Sequence, residues 1–150
     1  MSILDIGKVV LFSEMNGQLL MKGEPVKNAR IRRVANFSKD ITDYATTDEN
    51  GDFYFPAASV RTITTFLPTE FTARQELWVE VDGVEERFWL GVKSQREANS
   101  EARGDALKPV CELSNQNEMF RVRGAVFDTK CDWGVEKDKR RNIFGQDAPK

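Results

Sequence analysis

Glycine and proline punctuate this chain along a series of short, β-like runs: "KVVLF", "ARIRRV", "DFYF", "ELWVEV", "RFWLGV" and "MFRVRGAVF". That punctuation is the strongest constraint on the fold. It favours a mainly β, antiparallel β-sandwich over strands alternating with helices. The 150 residues suit one domain large enough to bury a proper core. No linker divides them. The expected division is a single sandwich over 1–135 and a polar C-terminal tail over 136–150.

The stretch "ATTDENGDFYFP", residues 45 to 56, crowds acidic groups around one glycine before aromatics begin to alternate. Asp48, Asn50 and Asp52 imitate the opening of a calcium loop. Such a loop needs glycine at its sixth position and a bidentate glutamate at its twelfth, and Phe53 and Ser59 stand there instead. A turn between strands accounts for more residues. Asp48 can accept from backbone amides ahead of it, and Gly51 can take a positive φ. Phe53 and Phe55 then share one face, Asp52 and Tyr54 the other, and Pro56 ends the ladder. Upstream, Gly23 and Pro25 mark another turn. Beyond it Ala29, Ile31 and Arg33 share a face opposite Arg30, Arg32 and Val34.

These two turns carry a resemblance. "GEPVKNARI" at 23 to 31 followed by "TTDENGDFYF" at 46 to 55 resembles the carboxypeptidase regulatory-like, or transthyretin-like, domain. Gly23, Pro25, Val26, Ala29, Thr47, Asp48, Gly51, Phe53 and Phe55 match its pattern, over roughly residues 14 to 56. The resemblance implies a β-sandwich module that is mostly non-catalytic and attached to something else. The later segment "LPTEFTARQELWVEVDGVEERFWLGVK" is similar to small bacterial proteins of unknown function.

"QELWVEVDGVEERFWLGVK" predicts a hairpin. A two-residue Asp82-Gly83 turn would oppose Glu80 to Glu85 and Val79 to Glu86, which are poor pairs. A four-residue loop, Asp82 to Glu85, instead pairs Val79 with Phe88, Leu77 with Leu90, Trp78 with Trp89 and Glu80 with Arg87. The longer loop is therefore expected, with Trp78, Glu80, Arg87 and Trp89 together on the outer face, either open to a partner or covered by the 95–103 helix or the C-terminal region with Trp133 as a second small core. "SQREANSEARG" predicts one short helix near 95–103, with Ser94 and Glu97 at capping-box spacing and Gly104 at its end. "LKPVCELS" and "EMFRVRGAVF" read as the last strands. Phe120, Val122 and Val126 are expected to share a face, and a hairpin around Asn115 to Asn117 sets Cys111 opposite Arg121. Cys131 then lies far from Cys111, so both thiols are expected reduced.

Histidine is absent, which removes Ser-His-Asp and Cys-His catalysis and every histidine metal site. A net charge of −2 argues against a general nucleic-acid binder. The basic cluster Lys137, Lys139, Arg140 and Arg141 is interrupted by Glu136 and Asp138 and reads as a solvated tail. No apolar run approaches membrane-spanning length, and the start lacks the marks of a signal peptide, so a cytoplasmic chain is expected. No cofactor and no metal are expected. The carboxylates Glu80, Asp82, Glu85 and Glu86 crowd one loop, but acid–base work needs them in a cleft with separated pKa values. The expectation is a non-enzymatic protein-interaction module whose partner is another protein. It would be either an adaptor for a secreted effector or an immunity-type protein that binds a toxin. The alternatives are a carbohydrate-binding module using Trp78, Trp89 and Trp133, and a carboxylate-based hydrolase.

Overall fold

The computed structural model describes residues 7–61 and 71–139. Its largest sheet has six antiparallel strands in the order β11 (Glu118–Val122), β12 (Ala125–Thr129), β9 (Val84–Lys93), β8 (Ala73–Val81), β4 (Arg30–Phe37) and β5 (Lys39–Thr46). Facing it is a sheet in which β13 (Cys131–Asp132) pairs β10 (Val110–Glu112), and β10 runs parallel to β2 (Met15–Met21). On its other edge β2 pairs first with β6 (Asp52–Phe55) and then with β3 (Glu24–Pro25). A two-stranded ribbon of β1 (Lys8–Phe12) and β7 (Ala58–Arg61) completes the antiparallel β-sandwich. No helix among the described residues is long and apolar enough to cross a membrane.

The core lies between the two large sheets. Ile31, Leu77, Val79, Phe88 and Trp89 are buried from one side, and Met15, Leu19, Phe53 and Phe55 from the other. The alternation in β6 therefore delivers both phenylalanines inward, and the rings of Phe53 and Phe88 meet edge-on at 6.4 Å. Each such ring buried stabilises by about 1.5–3 kcal/mol. Gly17 lies opposite Phe53, and a Cβ on it would come within 2.2 Å of that ring. The glycine leaves room for the phenylalanine.

The expected turns form. Asp48 Oδ1 accepts from the amides of Asn50 (2.8 Å) and Asp52 (3.0 Å), and Gly51 has φ +77°. Lys22 and Gly23 take φ 52° and 80°, so the chain reverses there, and Pro25 sits in the short edge strand that follows.

The hairpin register differs from the expected one. Asp82 and Gly83, both with positive φ (51° and 78°), make a two-residue turn, and Val81 pairs with Val84. Glu80 does lie opposite Glu85, and Val79 opposite Glu86. The poor pairs are relieved outside the hairpin: Glu85 takes Arg32 at 2.5 Å and Glu86 takes Lys130 at 3.1 Å. The register then shifts at a bulge, with Trp78 opposite Arg87, Leu77 opposite Trp89, and Phe88 as the extra residue. Phe88 and Trp89 consequently both bury.

The expected helix near 95–103 shrinks to a single 3-10 turn, Ser100–Ala102, between Asn99 and Arg103 in left-handed conformations. Its backbone groups are claimed from elsewhere. The buried Lys93 ammonium donates to the carbonyls of Gln95 and Glu97, Val10 N donates to Arg96 O at 3.0 Å, and Asn99 N donates to Ser13 Oγ at 2.8 Å. Those carbonyls and that amide are the ones an α-helix would use for its own first turn. Ser94, the expected cap, instead donates from Oγ to Arg123 O.

The last strands are also rearranged. β11 and β12 form a hairpin through Arg123-Gly124, which sets Phe120 opposite Phe127 and Val122 opposite Ala125. Val126, one residue out of step with Ala125 and Phe127, turns to the other face. β10 does not pair with β11; it crosses to the opposite sheet, where Cys111 faces Cys131 directly and the two form a disulfide. The expectation of two reduced thiols is thus overturned. Residues 136–139 do not leave the domain as a tail. Asp138 accepts from the amides of Arg123 and Gly124 (both 2.8 Å), its own amide donates to Arg121 O (2.7 Å), and Lys137 pairs with Glu118. Arg140, Arg141 and the rest of the expected tail lie outside the described residues.

Candidate functional site

The outer face of the six-stranded sheet holds most of the residues singled out from sequence. Register fixes a row across four strands: Tyr44 on β5, Arg32 on β4, Trp78 on β8 and Arg87 on β9. The Arg32 and Arg87 guanidinium carbons stand 5.2 and 5.5 Å from the Trp78 ring centroid, one from each flanking strand. Arg30, next to Arg32 on the same face, lies over Tyr44 at 3.9 Å. Cations over indole and phenol rings are attracted by the ring quadrupole, at about 0.5–1 kcal/mol per exposed contact. Carboxylates hold the frame. Glu85 accepts from Arg32, which raises the Arg32 pKa, and Glu76 pairs with both Arg74 (3.3 Å) and Arg87 (3.5 Å). Tyr44 is 52% exposed and Trp78 half-buried. Among the described residues no element packs over this face.

The structure keeps Trp78, Glu80 and Arg87 on this face but removes Trp89 from it. The bulge turns Trp89 inward, where its ring stacks on Phe12 (5.7 Å) and Trp133 (4.7 Å) and meets Phe127 edge-on. Glu80 is exposed near the turn and joins no ion pair among the described residues. Trp89 and Trp133 are therefore spent in an aromatic cluster, and the three tryptophans offer no common platform for a sugar. Glu80, Asp82, Glu85 and Glu86 ring an open hairpin tip rather than a cleft. Among the described residues no three His, Cys, Asp or Glu groups converge well enough to hold a metal ion.

The indole N–H of Trp89 leads into a buried polar network that sequence reasoning missed. It donates to Gln75 Oε1 (3.1 Å), and Gln75 Nε2 donates to Leu11 O and Glu101 Oε2 (both 3.1 Å). Ser13 donates to Glu101 from both its hydroxyl (2.6 Å) and its amide (3.0 Å), and Trp133 Nε1 donates to Glu101 O (2.9 Å). Ser13, Gln75, Trp89 and Glu101 are all fully buried, so the network fixes the 94–104 segment and is closed to a substrate. Glutamine and glutamate within polar-rich runs gave no sign of this in the sequence. A second inward charge, Arg33, lies between Phe12 and Phe55 and is held by Asp43 through two hydrogen bonds of 2.9 and 2.7 Å. Its inward direction did follow from the alternation of β4.

The fold and its open face define a β-sandwich with an arginine–aromatic row on one sheet. The chain belongs to the family described as Domain of unknown function (DUF6795), whose model matches residues 15–116. That span runs from β2 through β10 and contains Arg32, Trp78 and Arg87. No curated protein and no solved structure matches the chain.

Proposed function

We propose that this chain is a non-enzymatic protein-binding module that engages its partner with the open face of the six-stranded sheet. The observation that carries the reading is Trp78 held between Arg32 and Arg87 on a face that no described element packs over. Tryptophan and arginine dominate interface hot spots because they join large contact area to directed polar groups. Here the three side chains already brace one another, so little rotamer freedom remains to be lost on binding. The resemblance of residues 14 to 56 to the carboxypeptidase regulatory-like domain supports a module of this kind. An effector adaptor and an immunity-type protein are the two roles it fits. The Cys111–Cys131 disulfide supports work in an oxidising compartment rather than the cytoplasm, where thiols are kept reduced.

The test is affinity capture with the wild-type chain, followed by titration of the recovered partner against variants. Trp78→Ala, with an unchanged melting curve, is expected to weaken binding by about 2 kcal/mol or more, as hot-spot truncations do. Binding unchanged in both Trp78→Ala and Arg32→Ala/Arg87→Ala would place the interface elsewhere.

A further inference from the structure

We propose that the groove on the opposite sheet is a binding site for a neutral saccharide. The outer face of β2 forms its floor, with Asn16 and Gln18 pointing outward. One wall is β6, whose Tyr54 lies opposite Asn16 and whose Asp52 lies opposite Gln18. The other is the segment Lys108–Val110, fixed alongside by Asn16 N donating to Leu107 O (3.1 Å) and Gln18 N to Pro109 O (2.9 Å). Together they border a shallow, open groove of about 780 Å³.

The chemistry of the lining selects the ligand class. Tyr54 is 49% exposed, and its hydroxyl donates to Glu14 Oε2 at 2.8 Å, which pins the ring at the groove edge. Gln18 Nε2 donates to Asn50 O (3.0 Å), so the amide is oriented and its Oε1 is left to accept. Among the described residues, the side chains of Asn16, Asp52 and Lys108 bond no other residue. The groove thus offers a planar amide, a planar carboxylate, a carbonyl acceptor and an ammonium donor beside an anchored aromatic ring. Vicinal hydroxyls of a sugar both donate and accept, which matches such planar groups, and the C–H face of a pyranose matches the ring. An anion would meet Asp52 and Asp48, and a cation would meet Lys108. A purely apolar ligand would leave the amides dry and unpaired.

The full-length chain, labelled with ¹⁵N, is titrated separately with cellohexaose, chitohexaose and maltohexaose. At least one is expected to shift the amides of Asn16, Gln18 and Tyr54 while leaving those of Arg32 and Arg87 in place. Tyr54→Ala is expected to cost about tenfold or more in affinity, and Tyr54→Phe, which keeps the ring, less than about threefold. Trp78→Ala should bind the sugar as the wild type does, which separates this site from the protein-binding face. Circular dichroism of Tyr54→Ala guards against misfolding, with Asn16→Ala as a second variant expected to lose affinity. The proposal fails if none of the three sugars shifts these amides at about 10 mM, well above a millimolar dissociation constant. It fails equally if the shifts survive in both Tyr54→Ala and Asn16→Ala. It also fails if the groove amides respond to a captured protein partner and to no sugar.

Discussion

Replacing Gly51 with alanine separates two costs that a turn glycine can hide. Gly51 has φ +77°, and a Cβ there would come within 2.4 Å of the Leu19 carbonyl oxygen. The conformational cost of an L-residue in the left-handed region is about 1–2 kcal/mol. The contact adds to it, because the atom met is backbone inside the β2 ladder and cannot swing aside. Leu19 N also donates to Gly51 O at 2.8 Å, so moving the turn away strains a hydrogen bond worth about 1 kcal/mol. The sum for Gly51→Ala is about 3 kcal/mol. Gly83 supplies the control, since its φ is +78° and a Cβ there meets nothing within 4 Å. Gly83→Ala should therefore cost only the conformational part, about 1–2 kcal/mol.

Asparagine sharpens the comparison, because it tolerates the left-handed region but still carries a Cβ. Gly83→Asn should be nearly neutral, within about 0.5 kcal/mol, as ordinary surface substitutions are. Gly51→Asn should still lose about 2 kcal/mol, from the contact and the strained hydrogen bond. Urea unfolding of the four variants, followed by tryptophan fluorescence, measures all of these. Equal losses at Gly51 and Gly83 in both series would refute the contact with Leu19 as the reason for glycine in the Asp48 turn.

The disulfide closes a loop with a sequence separation of 20, so Cys111→Ser/Cys131→Ser should lose about 3 kcal/mol of stability. Mass spectrometry after alkylation of unfolded, unreduced protein should show no adducts, and two adducts would contradict the bridge. Glu112 accepts from the Ser114 hydroxyl and amide and from the amides of Gly23 and Lys22, which hold its pKa down to about 2 from 4.5. A depressed carboxylate contributes stability above its unfolded pKa and loses it as pH falls through the folded one. The urea midpoint of the wild type should therefore drop faster between about pH 4.5 and 2 than that of Glu112→Gln, and parallel curves would exclude this role. Burial pushes the Lys93 ammonium down to about 8 from 10.5, with Glu101 and Glu97 opposing the shift. The folded state then sheds this proton before the unfolded chain does, so the wild type should gain stability relative to Lys93→Met from about pH 8 to 10.5. A flat difference between the two proteins over that range would refute the buried cation.

What could be read in the sequence divides along the range of the interactions involved. The Asp48–Gly51 turn and the inward pair Phe53 and Phe55 were legible because the Asp48 side chain, the positive φ at Gly51 and the alternation of β6 all lie within eight residues, whereas the parts played by Leu19 and Gly17 were not. The β-sandwich was legible for the same reason, summed over many short runs. The Cys111–Cys131 pair was not, because β10 leaves its sequence neighbour β11 and runs parallel to β2, some ninety residues earlier in the chain. The helix failed likewise. Its local signals at Ser94, Glu97 and Gly104 were sound, but Val10 on β1, Ser13 in the link between β1 and β2, and Lys93 at the end of β9 claim its backbone groups.

The tryptophan hairpin shows how the same limit reaches the candidate site. Weighing the hairpin as two isolated strands makes Glu80 opposite Glu85 look costly, and the longer loop follows as the remedy. In the folded chain β8 and β9 are central strands, and each carboxylate meets a cation from a third segment: Arg32 for Glu85 and Lys130 for Glu86. Once those partners exist, the tight Asp82-Gly83 turn costs little, and the mismatch it leaves is absorbed by one bulge at Phe88. That bulge decides which tryptophan serves which face. It sends Trp89 into the cluster with Phe12, Phe127 and Trp133, and leaves Trp78 outside between Arg32 and Arg87. Arg32 therefore acts twice, relieving the glutamate pair that permits the turn and bracing the ring that the turn's register exposes. Its loss should perturb the hairpin and the binding face together, whereas loss of Trp78 should touch the binding face alone.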